Sequence, residues 1–424
     1  MNLRLTKYLY RKLRLWFAPY RKWRDYRDYE RRLPVLKERV FAKDKIKVVF
    51  FPINIGMWKN DYLFQLMLNH PRFEPYIVSF FVPIDSWEYQ LRNQKAMADF
   101  FKAKGYPYID MYDEASEKWF DVKTFKPDIV FYTQAVDVAY PQYKISALWD
   151  ECLFYYTPYC IGMEDQRRGY NTLLENICVK FFVPSEYHRH EYASFFVNKG
   201  RNVVFTGFPS FDYLTRPIKQ PNYKWKYNDS RKRIIWAPHH SILETDLLSY
   251  SNFLEIATEM VELAKRFEDK VQIVFKPHPR LRPKLELLEG WGAKRTSDYY
   301  ETWANMPNTC LEDGDYYDLF LTSDAMIHDC STFMAEYLVT EKPIMFVLRE
   351  DAGLNLNRYA QQCFEQHYVG HSMEDIEKFI EEVVIGGDDV MKKDRLEFVH
   401  NTLLPKGNNL VAENIFNEIT KELK

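Results

Sequence analysis

The chain has 424 residues and a formal net charge of −2 at pH 7, and its length is too great for one ordinary domain, so two domains are expected. It contains only 14 glycines and neither a GxGxxG nor a Walker sequence, which argues against a dinucleotide-binding dehydrogenase and a P-loop nucleotidase. The six cysteines form no CxxC pair, a pattern typical of reduced thiols rather than of a zinc site or a disulfide framework.

The amino-terminal segment is strongly basic. Residues 1–32 carry eleven basic and three acidic side chains, a balance of +8, so the rest of the chain carries −10. The apolar positions on one helical face are Leu5, Leu9, Leu13, Trp16 and Tyr20, and basic residues lie opposite them. This pattern predicts an amphipathic helix on an anionic membrane surface, within a segment spanning residues 1–43. The alternative is a helix docked on the protein itself or on a partner. The charge of −10 on the rest of the chain argues against nucleic acid as a binding partner.

From residue 46 onward, short apolar runs alternate with helical stretches, as in a mostly parallel sheet covered on both faces. In residues 44–214 the predicted strands are Ile46–Ile53, Tyr76–Val82, Asp128–Tyr132, Cys152–Tyr156, Lys180–Pro184 and Asn202–Gly207. The proline-containing stretch Leu214–Ser230 has no periodicity and is predicted to be a linker. We therefore interpret residues 44–214 as one α/β domain.

A second series of apolar runs follows the linker and predicts another α/β domain over residues 231–400. Its strands are expected at Arg233–Ala237, Val271–Phe275, Thr309–Glu312, Ala325–His328 and Ile344–Leu348. A helix is predicted over Ser249–Phe267, and residues 401–424 are expected to form a helix that crosses back to the first domain. Two such Rossmann-like domains would face a cleft, where ligands bind at the carboxyl ends of strands.

Polar side chains follow three predicted strands of the second domain. His239 and His240 follow the first, while Lys276, His278 and Arg280 follow the second. The third is followed by Asp329, Ser331 and Thr332, and by Glu336 one helical turn later. If the sheet is parallel, the three loops lie at one edge and their donors can surround a diphosphate, with Glu336 near ribose hydroxyls. Each residue alone can instead be structural, Ser331 and Thr332 as helix caps and Pro277 and Pro279 as stiffeners of a turn.

The sequence predicts no metal site. Asp313-Gly314-Asp315 has the DxD spacing of metal-dependent glycosyltransferases, but it lies in a turn-rich segment after a weak strand. No other cluster has metal-ligand spacing.

The motifs resemble those of the CDP-glycerol glycerophosphotransferase family, the teichoic-acid and capsule polymer enzymes of GT-B fold. The resemblance covers about residues 180–350. It is carried by the stretches Ile235–His239, Phe275–Pro279, Asp324–Phe346 and Val204–Pro209 with Asp212 beyond. It implies transfer of glycerol phosphate from CDP-glycerol to a hydroxyl of a lipid-linked or surface glycan, with release of CMP and no tightly bound cofactor. The unpaired cysteines and the basic amino-terminal helix indicate a cytoplasmic protein that is peripheral at the inner face of the cell membrane.

By the same resemblance, His278 would contact the donor phosphates, Ser331 and Thr332 would bind the diphosphate, and Glu336 would lie near the nucleotide. The family's His-Gly-Thr-Pro histidine has no counterpart before Thr157-Pro158. Glu164, Asp165, His239 and His240 therefore remain alternatives for the base that takes the acceptor proton.

Two alternatives to CDP-glycerol transfer stay open at this point. One is a GT-B glycosyltransferase with a nucleotide-sugar donor, or a ribitol-phosphate transferase, because the donor diphosphate is common to all of them. The other is a non-catalytic protein that binds nucleotide or glycan and assists assembly, which the missing histidine favours.

Overall fold

The computed structural model describes residues 18–83, 85–134, 139–165, 171–217, 219–243, 251–349 and 355–423. The chain divides into two compact units. The first consists of Met1–Cys160, Gln166–Pro209 and Gly407–Lys424, and the second of Ile161–Asp165 and Ser210–Lys406. Residues 161–165, which include Glu164, thus belong with the carboxyl-terminal half of the chain.

The first unit is built on a parallel sheet of seven strands. In chain order its strands are β1 (Ile46–Phe51), β2 (Phe73–Val78), β3 (Tyr108–Ile109), β4 (Tyr112–Asp113), β5 (Lys118–Trp119), β6 (Ile129–Tyr132), β7 (Leu153–Tyr156), β8 (Lys180–Val183) and β9 (Val203–Phe205). The sheet order is β3-β2-β1-β6-β7-β8-β9, and β4 and β5 form a separate antiparallel pair. The central strands β6 and β7 are buried along their whole length, as expected for parallel strands covered on both faces.

The second unit contains a parallel sheet of six strands. These are β10 (Lys232–Ala237), β11 (Val271–Phe275), β12 (Thr309–Leu311), β13 (Ala325–His328), β14 (Ile344–Val347) and β15 (Tyr368–Gly370). Their order is β12-β11-β10-β13-β14-β15, so β10 lies at the centre between β11 and β13. The order reverses direction at β10, and such a switch point is where open α/β sheets bind ligands.

Helices connect the strands in both units. In the first unit they are Ala18–Phe41, Asp61–Asn69, Trp87–Ala103, Val122–Phe125, Ile145–Leu148, Leu173–Ile177, Glu186–Phe195 and Val411–Thr420. In the second they are Ser210–Thr215, Phe253–Arg266, Leu281–Leu287, Gly292–Asn305, Tyr317–Thr322, Phe333–Glu336, Arg358–Phe364, Met373–Lys378 and Lys392–Phe398. Short 3-10 helices cover Ile55–Met57, Pro141–Tyr143 and Tyr337–Thr340, and π-helical turns cover Phe379–Ile385 and Val399–Leu403.

The α/β class and the strands predicted from apolar runs are confirmed. Each of the eleven runs overlaps an observed strand, and Val271–Phe275 matches residue for residue. In the helix Phe253–Arg266, the predicted apolar face is buried, including Phe253, Met260 and Ala264. This face packs in a core with Trp236 and Trp303 of the second unit.

The predicted membrane helix over residues 3–20 lies almost entirely outside the described residues. The helix Ala18–Phe41, which follows it, buries Tyr29 and Val40 in the first unit, and the Tyr29 ring lies 6.1 Å from that of Phe154. The segment 1–43 therefore includes residues that belong to the core of the first unit.

The carboxyl-terminal residues 407–424 are part of the first unit. The ring of Phe416, on the helix Val411–Thr420, lies 5.5 Å from that of His70 and 5.8 Å from that of Phe73. Lys37 forms an ion pair of 2.6 Å with Glu422. This segment packs against the helix Asp61–Asn69.

Across the part of the chain that the structure describes, no helix combines the length and the apolar character needed to cross a bilayer.

Candidate functional site

The three polar loops leave the same edge of the second sheet, as the parallel arrangement predicted. Trp236 pairs with Phe275 across β10 and β11, and Ala237 pairs with His328 across β10 and β13. The strands therefore end side by side, and the residues that follow them start from neighbouring positions. The register thus brings the His239, His278 and Asp329 loops together.

Three histidines meet at this edge. The ring centroids of His239 and His240 are 4.3 Å apart, and that of His278 lies 4.9 Å from His239 and 4.3 Å from His240. The backbone N–H of His278 donates to the carbonyl of Pro238 at 3.0 Å, which ties the two loops together. We refer to His239, His240 and His278 as the histidine cluster.

The protonation of His278 follows from its neighbours. The backbone N–H of Arg280 donates to Nδ1 of His278 at 3.1 Å, so the ring carries its proton on Nε2. Burial lowers the pKa of His278 to about 2, and the nearby His239, His240, Arg280 and Lys276 lower it in the same direction. The ring is therefore neutral at physiological pH and offers an N–H donor.

The histidine cluster has the ligand types of a metal site. One nitrogen from each ring lies within 4.8 Å of the others, the only such group among the described residues. The sequence placed the three histidines at one edge of the sheet, but it did not show how closely their rings approach. Lys276 and Arg280 add positive charge beside His278, a setting that favours an anion over a metal cation.

Lys276 is buried, with 6% of its surface exposed, and its Nζ donates to the carbonyl of Gly314 at 2.8 Å. Burial lowers the pKa of Lys276, while Glu312, Asp313 and Asp315 oppose that shift. The Lys276 ammonium thus binds the segment Asp313-Gly314-Asp315 through the carbonyl of Gly314. Arg280, at the start of the helix Leu281–Leu287, is exposed.

Asp329 holds the His239 loop in place. Its Oδ1 accepts from the backbone N–H of His239, and its Oδ2 accepts from the Ser251 hydroxyl at 2.7 Å and from the backbone N–H of Asn252 at 3.1 Å. The Ser251 hydroxyl is also 3.1 Å from the carbonyl of His239. Burial raises the pKa of Asp329 to about 6, and these hydrogen bonds limit the shift. Both carboxylate oxygens of Asp329 therefore bind groups of the protein itself. The sequence had instead suggested that Asp329 contacts the nucleotide-activated substrate.

Ser251 and Asn252 were not identified from the sequence. They immediately precede the helix Phe253–Arg266, where polar residues are expected as ordinary helix caps. Their role in binding Asp329 depends on the approach of two loops that are far apart in sequence.

Ser331 and Thr332 are partly exposed at the end of β13. The helix that follows is short, since α-helical geometry covers only Phe333–Glu336 before the 3-10 turn Tyr337–Thr340. Thr332 makes no side-chain capping hydrogen bond. A single turn has a weak dipole, so the hydroxyl and amide groups themselves contribute most of any anion binding at this end.

Glu336 is 1% exposed, and its Oε2 accepts from the Tyr316 hydroxyl at 2.6 Å. Its carboxylate is therefore anchored inside the second unit. The expected contact of Glu336 with ribose hydroxyls stays a prediction.

Glu164, on the segment Ile161–Asp165, reaches the same loop from another direction. It forms an isolated antiparallel bridge with Leu356 and is 8% exposed. Burial raises the pKa of Glu164, and the nearby Ser331 hydroxyl acts in the opposite direction. The positions of Glu164 and Ser331 in the sequence do not predict that the two residues lie close together.

Comparison with known proteins adds a family and a fold. The model of a family described as CDP-Glycerol:Poly(glycerophosphate) glycerophosphotransferase matches residues 162–421. No curated protein matches the chain significantly.

Several solved structures resemble the whole chain. A UDP-GlcNAc 2-epimerase from Neisseria meningitidis bound to UDP-GlcNAc is 15% identical, with a TM-score of 0.55 over 89% of this chain and 100% of that one. MnaA from S. aureus, in complex with UDP, is 16% identical, with a TM-score of 0.54 over 90% and 97%. A variant of the wall teichoic acid polymerase TagF is 14% identical, with a TM-score of 0.58 over 100% and 98%. At these identities the likeness shows the fold, which is of the expected GT-B type.

Proposed function

The chain belongs to the CDP-glycerol:poly(glycerophosphate) glycerophosphotransferase family, and on that premise we propose that it moves glycerol phosphate from CDP-glycerol to a hydroxyl of a lipid-linked or surface glycan and releases CMP. The observation that carries the proposal is the histidine cluster beside Lys276 and Arg280. Those groups lie within the residues that match the family model. A TagF variant has also been soaked with CDPG, which supports the choice of donor.

In this proposal the second unit binds the donor diphosphate. The Nε2–H of His278 and the guanidinium of Arg280 face the phosphates, and Ser331 and Thr332 add hydroxyl donors. These groups offset the negative charge that gathers on the departing phosphate of CMP. Because phosphoryl transfer needs little covalent chemistry from the protein, catalysis is positioning and charge stabilisation.

A donor panel tests this proposal. We expect the purified protein, incubated with bacterial membranes as the source of acceptor, to release CMP from CDP-glycerol faster than from CDP-ribitol. Release of UDP from UDP-GlcNAc should stay at the level of a protein-free control. Turnover of CDP-ribitol or of UDP-GlcNAc without turnover of CDP-glycerol would instead support the alternative donors.

We also propose that the amino-terminal segment places the enzyme on the cytoplasmic face of the membrane, near a lipid-linked acceptor. Several described basic residues of the helix Ala18–Phe41 already form ion pairs, such as Arg24 with Asp25 and Arg31 with Asp28. Their charge is partly neutralised within the protein. Attraction to anionic lipid therefore depends mainly on the basic residues of positions 1–17.

Substitutions in the full-length chain test this membrane contact. Glutamine at Lys7, Arg11 and Arg14 removes three positive charges, each worth about 1 kcal/mol near an anionic surface. We expect binding to vesicles with 30% anionic lipid, a composition chosen for the assay, to weaken by about 100-fold in a co-sedimentation assay. The matched control carries glutamine at Arg24 and Arg31, and its vesicle binding should change by less than about threefold. Equal binding of the triple variant and the unmodified protein contradicts the proposal.

A further inference from the structure

The segment that carries Glu164 is fixed to the second unit by its backbone. Asn357 donates through its backbone N–H to the carbonyl of Met163 at 2.9 Å and through Nδ2 to the carbonyl of Gly162 at 2.8 Å. The backbone N–H of Asp165 donates to the carbonyl of Asn355 at 3.2 Å. Three hydrogen bonds on both sides of Glu164 leave its Cα little freedom. Its carboxyl group therefore has a defined position relative to Ser331.

The groups that bind the Glu164 carboxyl are uncharged. Apart from the Ser331 hydroxyl, the groups that bind it are the backbone amides of Met163 and Glu164 itself. Within the described residues no cation forms an ion pair with it, and residues 355–357 bring no titratable side chain. The neighbouring Asp165 is exposed, and Arg167, Arg168, Glu350 and Asp351 lie outside the described residues.

We propose that Glu164 is a catalytic residue, the general base that accepts the proton of the attacking acceptor hydroxyl. This inference rests on the proposed function, because it requires a donor phosphate bound beside Ser331. As the acceptor oxygen forms a bond to the phosphorus that bears glycerol, the bond from that phosphorus to the bridging oxygen breaks. The electron pair of that bond leaves with CMP. The acceptor proton passes to the Glu164 carboxylate and from there to water, so charge and atoms balance.

The chemistry of the alternatives favours Glu164. A base works best when its pKa is near the working pH. Burial moves the pKa of Glu164 upward, toward neutrality, whereas burial and positive neighbours move that of His278 down to about 2. His239 is also engaged, since its Nδ1 lies 2.9 Å from the Ser241 hydroxyl. His278 is thus suited to donating a hydrogen bond, and Glu164 to accepting a proton.

The role as base has a defined pH signature. Glu164 must be ionised to accept a proton, so kcat/KM should rise with pH through the pKa of Glu164 and then level off. Because burial raises that pKa, the rise lies above the range of an exposed glutamate.

Glu164→Gln is the decisive variant, because the amide has the same shape as the carboxyl group but cannot take a proton. We expect kcat for CMP release from CDP-glycerol to fall by about 10²–10⁴-fold and the acidic limb of the pH profile to disappear. The dissociation constant of CMP, measured by calorimetry, should change by less than about threefold, since donor binding is intact. Glu164→Asp keeps a carboxylate and should retain the acidic limb with a smaller loss of kcat. The matched control is Glu286→Gln, an exposed glutamate paired with Arg282.

Each outcome has a defined meaning. If the unmodified enzyme releases CMP and Glu164→Gln keeps both its kcat and its pH limb, the inference fails and the proposed function stands. The same holds if Asp165→Asn, rather than Glu164→Gln, abolishes turnover, or if Glu164→Gln affects only CMP binding. If the unmodified enzyme releases no CMP from CDP-glycerol, the proposed function fails and this inference fails with it.

Discussion

Alanine at position 278 should lower the rate of CMP release from CDP-glycerol by about 10²–10³-fold, the loss typical of removing one donor aimed at developing charge. The backbone N–H of Arg280 occupies Nδ1 of His278, so Nε2 carries the hydrogen. Because the pKa of His278 is lowered to about 2, the ring is neutral at physiological pH and Nδ1 keeps accepting from Arg280. The variant should also bind CMP more weakly in calorimetry, since the proposed donor site uses the same N–H to contact the nucleotide phosphate.

The control for His278→Ala is the same histidine-to-alanine substitution at an exposed position, His400. His400 lies in the second unit, where its exposed ring pairs with Glu341 at 2.9 Å. Alanine at position 400 should leave CMP release within about twofold of the unmodified rate, as expected of an exposed pair. Equal rates for the two alanine variants would remove His278 from the donor site.

Asp329→Ala should lower the free energy of unfolding by about 3 kcal/mol at pH 7.5, because three buried donors each lose an acceptor at about 1 kcal/mol or more. Those donors are the backbone N–H groups of His239 and Asn252 and the hydroxyl of Ser251. CMP release should fall as well, since the His239 loop loses its anchor. Denaturant titration and the donor assay measure the two effects.

The effect of Asp329→Ala should grow on acidification. The folded-state pKa of Asp329, about 6, lies above the value of 3.8 for an unperturbed aspartate, so the folded protein binds the proton first and gains stability as pH falls through 6. The alanine variant lacks this gain, and the difference should increase by about 1 kcal/mol between pH 7.5 and 5. The control is Asp298→Asn, an exposed residue paired with Lys294, with an expected change of less than about 0.5 kcal/mol at both pH values. A loss that shrinks with acidification would show that the ionised carboxylate is the stabilising form.

The sequence was most informative where a buried strand leaves a continuous apolar signal. Val271–Phe275 is such a case, since all five residues are buried. The strands that were not predicted, β3, β4, β5 and β15, have two or three residues and show no period of their own. They take their extended form from pairing with a neighbour, as Tyr368–Gly370 does with β14.

The candidate site also divides into features that the sequence predicts and features that it does not. The strand ends placed His239, His278 and Asp329 on one edge, because register in a parallel sheet follows from the apolar runs. The contact between Glu164 and Ser331 depends instead on how residues 161–165 join the second unit. Side-chain partners such as Ser251 for Asp329 depend on loops whose paths have no periodic pattern. Local sequence therefore predicts which residues reach the edge, and tertiary packing decides what each of them touches.

The chain order of the two units has a consequence for synthesis on the ribosome. The first unit includes residues 407–424, whereas the second ends before them, at residue 406. Until the last helix emerges, Phe73 lacks the ring of Phe416, and the helix Asp61–Asn69 lacks its cover. The unit made first is therefore the last to close. During that interval its exposed apolar side is a natural target for chaperones that bind nascent chains.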